Sequence, residues 1–524
     1  MTVDRGPGEP PSASDQRPAK TALIAILVAF VLLQVPFLGG AFRVDDPNIL
    51  AIAKQISRAP LDPYGFTFNW TGTSRPAFDI LANPPLAPFF IAGWAAIFGW
   101  SEISLHVLTL LFALVAIAAF FWIARDFLAT ALLAASPAFF ISTQTVMPDM
   151  LMLALLMVSV AAAMRGRYTL AFIAGALTPI AKYNGVIAVA LLITIAIMQR
   201  KRATAIVAAS PVVGLVLWSA YSLWQYGAIH LFIVSEERRS NFAHTLHDLA
   251  IEGKRLTAID PFISVLVLTG LAVIPFGWQL LMRRRYEWAL ALVAALAAFF
   301  VAHSAFAYPI ASSILFGIGI AAGIRVIAFV LGSRNPLAIV WLLAVLVFQA
   351  ATFAVATRYL LPVVPAALLA IPRVRRGLAA AAIAVSLLVA IPTAVGEYSA
   401  ANCYRDFAAK MPHRAFYFAG HWGFQHYASQ AGGTLIDVLK PPAYKRGDVI
   451  VIASHAFPSP GPLRIRARAA RLFCTTWFPL HTISCEGGAS YNVTEISGCR
   501  RADIFLPFAF SKEPLEEFDV FVVQ

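Results

Sequence analysis

The sequence predicts a polytopic α-helical membrane protein with a small soluble α/β domain at its carboxyl end. Of its 524 residues, 60% are hydrophobic and only 13% are charged, a composition that soluble domains of this length do not have. Long apolar runs alternate with short basic clusters up to about residue 396. Beyond that point the apolar runs stop, and short stretches of alternating polar and apolar residues begin.

The net charge of +13 does not indicate nucleic-acid binding, because the basic residues form no single patch. They stand in short clusters between the apolar runs, as cytoplasmic loops do under the positive-inside rule. The clusters comprise Arg165 with Arg167 and the residues 200–202, 283–285 and 373–376. These clusters therefore mark the cytoplasmic side of a multi-pass protein.

The amino-terminal part is predicted to contain a tail, an anchor and a long loop. Residues 1–20 have the composition of a disordered cytoplasmic tail. The apolar run 21–41 is too long for a signal peptide and lacks a cleavage pattern, so we expect it to remain as the first span. Residues 42–102 then form a periplasmic loop with interfacial helices, since its apolar part, 86–98, is short for a crossing.

Three later segments are predicted to be helical hairpins. Each has basic residues at both ends, and a single helix would place those ends on opposite sides, against the positive-inside rule. The hairpins are 127–146 with 150–164, 168–181 with 185–198, and the two halves of 336–371. Single spans are predicted at 103–124, 203–223, 261–282, 286–307, 310–331 and 377–396. The total is about thirteen crossings, and an odd number places the carboxyl-terminal region on the periplasmic side.

Residues 397–524 are predicted to form this periplasmic domain, with strands at 448–453 and 518–523. All four cysteines lie in it, at positions 403, 474, 485 and 499. An even number in one segment favours an oxidising compartment, with three alternative disulfide pairings. The alternative is four free thiols in a cytosolic domain.

Isolated charges follow or interrupt the apolar runs. Asp45 and Asp46 come directly after the first span, and Asp149, Lys182 and Arg358 stand at the three hairpin tips. A charge at membrane depth is energetically unfavourable and indicates a functional site. If the tips reach one face of the membrane, carboxylates and two cations surround a single site. This combination suits chemistry on an anionic substrate carried by a lipid.

A sugar linked to a polyprenyl phosphate is such a substrate. Its phosphate leaves more easily beside cations, and Lys182 offers a point charge while Arg358 offers a bidentate fork. Asp45 is the candidate general base for an acceptor hydroxyl. Asp46 would bind the acceptor or raise the pKa of its neighbour. Asp149 would orient the base, bind the sugar or hold a divalent metal ion.

Each of these residues also has an ordinary structural interpretation. The two adjacent aspartates and Asp149 are typical of helix caps. Lys182 could extend its amine to the lipid headgroups, and arginine beside tyrosine, as at Arg358, is common at membrane interfaces. Their joint placement on one face is what favours a functional site.

Other motifs are weaker. His421 and Trp422 lie in an aromatic stretch that is typical of a domain core. Asn492 begins a glycosylation sequon that occurs often by chance. The sequence contains no His/Cys set with metal-ligand spacing, no phosphate-binding glycine loop and no nucleophile elbow.

Five segments, in order, resemble motifs of the glycosyltransferase C superfamily. Residues 44–54, with Asp45 and Asp46, resemble the Asp-Glu motif of the first outer loop, and Asn83-Pro84-Pro85-Leu86 resembles its Pro-Pro-Leu motif. The stretch 136–149 resembles the segment of the second acid. Residues 175–185 resemble the lysine-bearing turn, and 358–365 resemble the Arg-Tyr-x-x-Pro motif. The similarity covers residues 20–375.

The most similar branch is the protein O-mannosyltransferase group with its bacterial relatives, the aminoarabinose lipid A transferases and the rhizobial lipopolysaccharide galacturonosyltransferases. The resemblance implies an inverting transferase of the bacterial inner membrane that works on its periplasmic side. The donor would be a polyprenyl-phosphate-linked sugar, and the acceptor an envelope glycan, a lipid or a protein.

The resemblance also implies roles for individual residues. It makes Asp45 the base and makes Lys182 and Arg358 donor-phosphate ligands. The secondary candidates are Asn83, Tyr183 and Tyr359. Two positions depart from the family. Asp46 replaces the usual Glu, and neutral Asn83 replaces Lys or His, which weakens a phosphate role for that loop and argues against aminoarabinose as the sugar.

Two other functions remain open at this point. A transporter or flippase for a lipid-linked or anionic solute would also need charges in the membrane. Such proteins favour inverted repeats and a site at the bilayer midplane, and the sequence shows no repeating halves. The other alternative is a catalytically inactive scaffold for envelope assembly.

Overall fold

In a computed structural model, the chain folds as a mostly helical, multi-pass membrane protein. The structure describes residues 13–236, 260–275, 285–302, 309–352, 356–371, 376–411, 415–461, 468–492 and 506–524. Within these ranges, five helical stretches are long and apolar enough to cross a membrane: Lys20–Phe37, Glu102–Ala124, Arg202–Tyr226, Pro309–Leu331 and Arg376–Lys410. Each coincides with a predicted span. The total of about thirteen crossings stays a prediction.

Helices up to residue 371 include α1 (Ala13–Gln34), α2 (Asp46–Arg58), α3 (Ala77–Ile80), α4 (Leu86–Phe98), α5 (Glu102–Ala124), α6 (Phe127–Ala135), α7 (Pro137–Ser142), α8 (Asp149–Met164), α9 (Tyr168–Ala181), α10 (Ala188–Gln199), α11 (Arg202–Ala208), α12 (Ser210–Tyr226), α13 (Asp260–Leu268), α14 (Arg285–Ala302), α15 (Pro309–Leu331), α16 (Pro336–Thr352) and α17 (Val363–Ala370). Helix α1 begins at Ala13 and so includes the last residues of the predicted tail 1–20, which stays a prediction. The ends of the predicted spans 261–282 and 286–307 lie outside the described residues.

The helices end where the sequence supplies caps or breaks. The Ser101 side chain accepts a hydrogen bond from the Ser104 N–H at the start of α5. The Asp126 carboxylate accepts one from the Ala129 N–H at the start of α6. Ser136 is followed by a proline that begins α7, so the predicted block 127–146 is two short helices rather than one.

The predicted hairpin tips are short breaks between helices. Asp149 is the first residue of α8. Lys182 has an extended backbone between α9 and the 3₁₀ helix Tyr183–Ile187. Arg358 lies in the 3₁₀ helix Thr357–Leu360, which precedes α17. Each charged side chain therefore leaves the chain at a point where helical hydrogen bonding is interrupted.

The loop between the first two spans is folded. It contains α2, a two-stranded hairpin, the short helix α3 and then α4. The hairpin strands are β1 (Thr67–Asn69) and β2 (Ser74–Pro76), which pair antiparallel. Helix α2 packs on α4 through its apolar face, which carries the buried Ile49, Ile52 and Ile56.

The carboxyl-terminal region begins on a long helix, α18 (Arg376–Lys410), which runs through the boundary predicted at residue 396. The region continues with α19 (Trp422–Gln430) and with β3 (Phe416–Ala419), β4 (Gly433–Leu435), β5 (Val449–Ala453), β6 (Arg468–Cys474), β7 (Leu480–His481), β8 (Ile483–Ser484), β9 (Ala489–Ser490), β10 (Ala509–Phe510) and β11 (Glu516–Val522).

Five of these strands form a mixed sheet in the order β4-β3-β5-β11-β6. Strands β5 and β11 match the two predicted strands and pair antiparallel. A disulfide joins Cys403 on α18 to Cys474 at the end of β6, with 5.9 Å between their Cα atoms. Cys485 is also disulfide-bonded, and Cys499 lies outside the described residues. The prediction of disulfides is thus confirmed.

Buried polar contacts join this region to the membrane part. The Arg43 guanidinium donates to the Glu397 carboxylate at 3.0 Å and to the Gln144 carbonyl at 2.6 Å. The Asn492 amide donates to the same carboxylate at 2.7 Å, and Asn492 is buried. The asparagine of the sequon is therefore part of a buried contact.

The predicted sidedness can be tested with two exposed positions. In the thirteen-crossing topology, Thr67 on β1 faces the periplasm and Arg167 between α8 and α9 faces the cytoplasm, and both are exposed in the structure. We expect Thr67→Cys to react with an impermeant maleimide in intact cells. Arg167→Cys should react only after permeabilisation, with the unsubstituted protein as the background control. Labelling of both variants from the same side would contradict the topology.

Candidate functional site

Two adjoining cavities lie where the loop, the hairpin tips and the carboxyl-terminal region meet. The large cavity has a volume of about 380 Å³ and is lined by Val44, Asp45, Trp70, Thr71, Arg358, Tyr359, His421, Trp422, Phe457, Ser459 and Asn492. The small cavity has a volume of about 110 Å³ and is lined by Asp45, Asn48, Ile49, Ile52, Trp70, Ile80, Leu81, Ala82, Asn83, Met147, Pro148, Asp149, Lys182, Arg358 and Tyr359. The two cavities share four residues: Asp45, Trp70, Arg358 and Tyr359.

Asp45 lies at the junction of the two cavities. It precedes α2, yet its side chain makes no capping hydrogen bond to that helix. Its carboxylate instead accepts a hydrogen bond from the Arg358 guanidinium. Its side chain remains 27% exposed, so an incoming hydroxyl has access to the carboxylate. The helix-cap interpretation therefore does not describe this residue.

Arg358 reaches the junction from the opposite side. Its guanidinium donates to the Asp45 carboxylate, to the Met147 sulfur and, at 3.1 Å, to the Tyr359 hydroxyl. Only 8% of its side chain is exposed. A cation so buried needs a counter-ion, and Asp45 provides it. An anionic ligand that entered either cavity would compete with Asp45 for this guanidinium.

A second ion pair lies in the small cavity. The Lys182 amine donates to the Asp149 carboxylate at 2.5 Å. The other Asp149 oxygen is buried and has no hydrogen-bond partner among the described residues. Asp149 makes no side-chain cap on α8, and the Lys182 side chain is buried within the protein. The two side chains bind each other. Asp149 is therefore not a helix cap, and the Lys182 amine is not placed among lipid headgroups.

Tyr359 connects the two cations. The Lys182 amine lies 4.5 Å from the centre of its ring, and the Arg358 guanidinium carbon lies 5.0 Å from it. A positive charge beside an aromatic ring is stabilised by the electron density of the ring. The structure thus brings Asp45, Asp149, Lys182 and Arg358 around one tyrosine.

Asp46 has a different environment from its neighbour. It is completely buried and lines neither cavity. Its carboxylate accepts hydrogen bonds from the N–H groups of Arg43 at 2.9 Å and Val146 at 3.0 Å. The structure therefore separates Asp46 from the candidate catalytic groups. Its bonds hold the Asp45 segment against the segment that leads to Asp149.

The three secondary candidates occupy three different positions. Tyr359 lines both cavities, and Asn83 lines the small one. The Asn83 carbonyl accepts a hydrogen bond from the Tyr64 hydroxyl at 2.5 Å. Tyr183 lies behind the small cavity, where its hydroxyl accepts from the Trp218 indole at 2.9 Å and is 2.7 Å from Nδ1 of His230. Tyr183 therefore supports the lysine turn and does not line either cavity.

One wall of the large cavity comes from residues that the sequence did not single out as functional. His421 and Trp422, at the start of α19, are buried as predicted, but they also line this cavity. Trp70 and Thr71, at the tip of the β1–β2 hairpin, line the same cavity, and the Trp70 ring lies 5.6 Å from the His421 ring between centroids. The backbone of Trp422 is unusual, with a φ of +54° that non-glycine residues rarely adopt. This feature cannot be identified from the sequence.

The helix α19 also supports the segment that carries Asp45. The Phe42 N–H donates to the Tyr427 hydroxyl at 2.8 Å, and Phe42 contacts the His426 ring at 5.2 Å between centroids. Gly423 permits this approach, because a Cβ atom there would lie 2.3 Å from the Phe42 carbonyl oxygen. The carboxyl-terminal region thus positions the candidate base as well as lining the cavity.

A metal site at Asp149 finds no support in this geometry. Among the residues that the structure describes, no group of three or more His, Cys, Asp or Glu side chains is arranged to hold a metal ion. The carboxylates of Asp45 and Asp149 are each bound to a cationic side chain.

The structure is similar to two crystal structures of ArnT from Cupriavidus metallidurans, one bound to undecaprenyl phosphate and one in the apo state. The sequence identities are 14% and 15%, the TM-score is 0.37 for both, and each match covers 83% of this chain and 93% of ArnT. No protein-family model and no curated protein match the sequence.

The two adjacent aspartates should respond differently to substitution. In Asp46→Asn, one of the two backbone N–H groups would face the amide NH₂ rather than an oxygen. We expect the free energy of unfolding to fall by about 1–3 kcal/mol. The measurement is thermal unfolding of the purified protein in detergent. An Asp46→Asn protein as stable as the unsubstituted one would contradict this role.

The same substitution should change the pH dependence of stability. Burial raises the pKa of Asp46 from 3.8 to about 7. A raised pKa in the folded state means that the folded protein favours the protonated acid. The contribution of Asp46 to stability is therefore complete below pH 4 and decreases as the pH rises through 7. In Asp46→Asn, the free energy of unfolding should therefore decrease less over this pH range than in the unsubstituted protein.

The packing of Gly423 predicts a second effect on stability. In Gly423→Ala, the added methyl group would overlap the Phe42 carbonyl, so the backbone on one side must move. We expect a loss of about 1–3 kcal/mol in thermal unfolding. Gly93→Ala is the matched control, because a Cβ atom at that helical position meets no atom within 4 Å. Equal stability of the two variants would show that α19 does not press on the Asp45 segment.

Proposed function

We propose that this protein is a membrane glycosyltransferase that moves a sugar from a polyprenyl-phosphate donor to an envelope acceptor with inversion. The observation that carries the proposal is the joint position of two buried cations and an accessible carboxylate around one junction. Lys182 and Arg358 supply the positive charge, and Asp45 supplies the base.

The cations would bind the donor phosphate. In the structure each of them is neutralised by a carboxylate, Lys182 by Asp149 and Arg358 by Asp45. A phosphate that enters the small cavity competes for both cations. As the bond between the anomeric carbon and the phosphate oxygen breaks, the phosphate keeps the electron pair and gains negative charge. Lys182 and Arg358 then stabilise this leaving group.

Asp45 becomes available as the base when the phosphate replaces it as the partner of Arg358. While it is bound to Arg358, its carboxylate accepts a hydrogen bond from the guanidinium. Once the phosphate binds Arg358, the carboxylate can accept the proton of an acceptor hydroxyl. The hydroxyl oxygen attacks the anomeric carbon from the side opposite the phosphate, and this attack inverts its configuration. Donor binding thus prepares the base.

The apolar surroundings suit a lipid-linked donor. The small cavity is lined by Ile49, Ile52 and Ile80 beside the charged groups, and the chain is a multi-pass membrane protein. We place the site on the periplasmic face of a bacterial inner membrane, because the basic clusters mark the opposite side. The acceptor is a hydroxyl of an envelope glycan, a lipid or a protein.

The proposal predicts a separable effect of Asp45→Asn. The asparagine side chain keeps an oxygen that can accept a hydrogen bond from Arg358. It cannot take up the proton of the substrate hydroxyl. We expect sugar transfer to fall by about 10²–10⁴-fold when it is measured well below the unfolding temperature of the variant. Thermal stability should also fall, because Arg358 loses its charged partner. Purified enzyme with a radiolabelled polyprenyl-phosphate sugar and an envelope lipid extract as the acceptor measures this.

The control is Asp79→Asn, the same substitution in the same loop but outside both cavities. It should transfer sugar at the unsubstituted rate. Unchanged transfer by Asp45→Asn would show that Asp45 is not the base. A protein that moved the intact lipid-linked sugar across vesicle membranes without transferring it would instead be a flippase.

A further inference from the structure

The large cavity differs in character from the small one. Apart from the Asp45–Arg358 ion pair, its lining among the described residues contains no aspartate, glutamate, lysine or arginine. Four aromatic side chains, those of Trp70, Tyr359, Trp422 and Phe457, line it. The hydroxyls of Thr71 and Ser459 and the amide of Asn492 add neutral polar groups.

This mixture is suited to a sugar ring. A pyranose presents a face of C–H groups, which packs on aromatic rings, and an edge of hydroxyl groups, which need hydrogen-bond partners. Trp70 lies on the hairpin side and Trp422 on the α19 side, where its ring centroid is 5.9 Å from that of Phe457. The aromatic groups therefore come from segments that are far apart in the chain.

The cavity walls are held together by contacts across it. The Asn69 amide donates to the Ile436 carbonyl at 3.1 Å, and the Gln425 amide donates to the Asn69 carbonyl at 3.0 Å. A Cβ atom on Gly72 would lie 2.3 Å from Cβ of Ser459, so the hairpin tip touches the segment after β5. The cavity is thus formed before a ligand enters.

The cavity carries no net charge. Asp45 and Arg358 neutralise each other. His421 bonds to the Gln425 side chain at 3.0 Å, and burial lowers its pKa, so it is neutral at pH 7. Away from the junction with Asp45 and Arg358, an ammonium or carboxylate group on a ligand would lose water and find no counter-ion among the lining residues, which is unfavourable.

We infer that the large cavity binds the sugar ring of the donor and selects an uncharged sugar over an amino sugar or a uronic acid. The inference rests on the proposed function and adds the substrate class. The small cavity, at about 110 Å³, has room for the phosphate but not for a sugar as well. The two cavities meet at Asp45 and Arg358, so a ring in the large cavity would have its anomeric carbon near both the phosphate and the base.

The first test compares three donors that share one polyprenyl phosphate and differ at one ring substituent: a hydroxyl, an amine or a carboxylate. Transfer by the purified full-length protein is measured for each. We expect kcat/KM for the hydroxyl sugar to exceed that for both charged sugars by at least about tenfold. Equal rates, or a preference for either charged sugar, would overturn the inference.

The second test introduces a charge into the cavity wall. Ser459→Asp places a carboxylate there, and Ser459→Asn is the matched neutral control. We expect the aspartate variant to shift the ratio of amino-sugar to hydroxyl-sugar transfer upward by about tenfold, whereas the asparagine variant leaves it unchanged. A ratio that is the same in both variants would show that the ring binds elsewhere.

Binding of sugar-free polyprenyl phosphate separates the inference from the proposed function. The unsubstituted protein should bind it, and Lys182→Ala should bind it much more weakly. If polyprenyl phosphate binds in this way but the three sugars are transferred alike, only the choice of an uncharged sugar is wrong. If polyprenyl phosphate does not bind at all, the proposed function and the inference both fail.

Discussion

The pairing of buried charges is the constraint on which this site depends. Lys182 and Arg358 lie at breaks between helices, and each is neutralised by a carboxylate from a distant part of the chain. Removing one partner of a buried ion pair leaves an uncompensated charge and typically destabilises a protein by about 3–5 kcal/mol. The two ion pairs therefore fix how the first loop and the hairpin tips can meet. They also keep both cations in place for an anion that can displace the carboxylates.

The carboxyl-terminal region belongs to the site as much as the membrane helices do. It buries the Glu397 partner of Arg43, supports Phe42 through α19 and closes one wall of the large cavity. Because α18 runs from the membrane part into this region as one helix, the two parts share a rigid element. A substitution far along the sequence, on α19, can therefore displace Asp45.

Asp45 and Asp46 illustrate the limits of reasoning from the sequence. Both are acids that directly follow an apolar span, and the spacing gave no reason to separate them. In the structure one carboxylate opens on the cavities, while the other is enclosed by two backbone N–H groups. The difference arises because successive residues at the start of a helix point in different directions. The N–H partner at Val146 is about a hundred residues away and cannot be identified from local sequence.

The sequence by itself determined the membrane class, five of the spans, the positions of the helix breaks and the residue types at those breaks. Apolar length and the cost of intramembrane charge act locally, so they are visible in a single chain. Only the tertiary structure decided which acid binds which cation, that Tyr183 supports the lysine turn while Tyr359 lies between the cations, and that Trp70 and Trp422 enclose a neutral cavity. These contacts join segments that are far apart in the chain, and their energies depend on burial that no local pattern records.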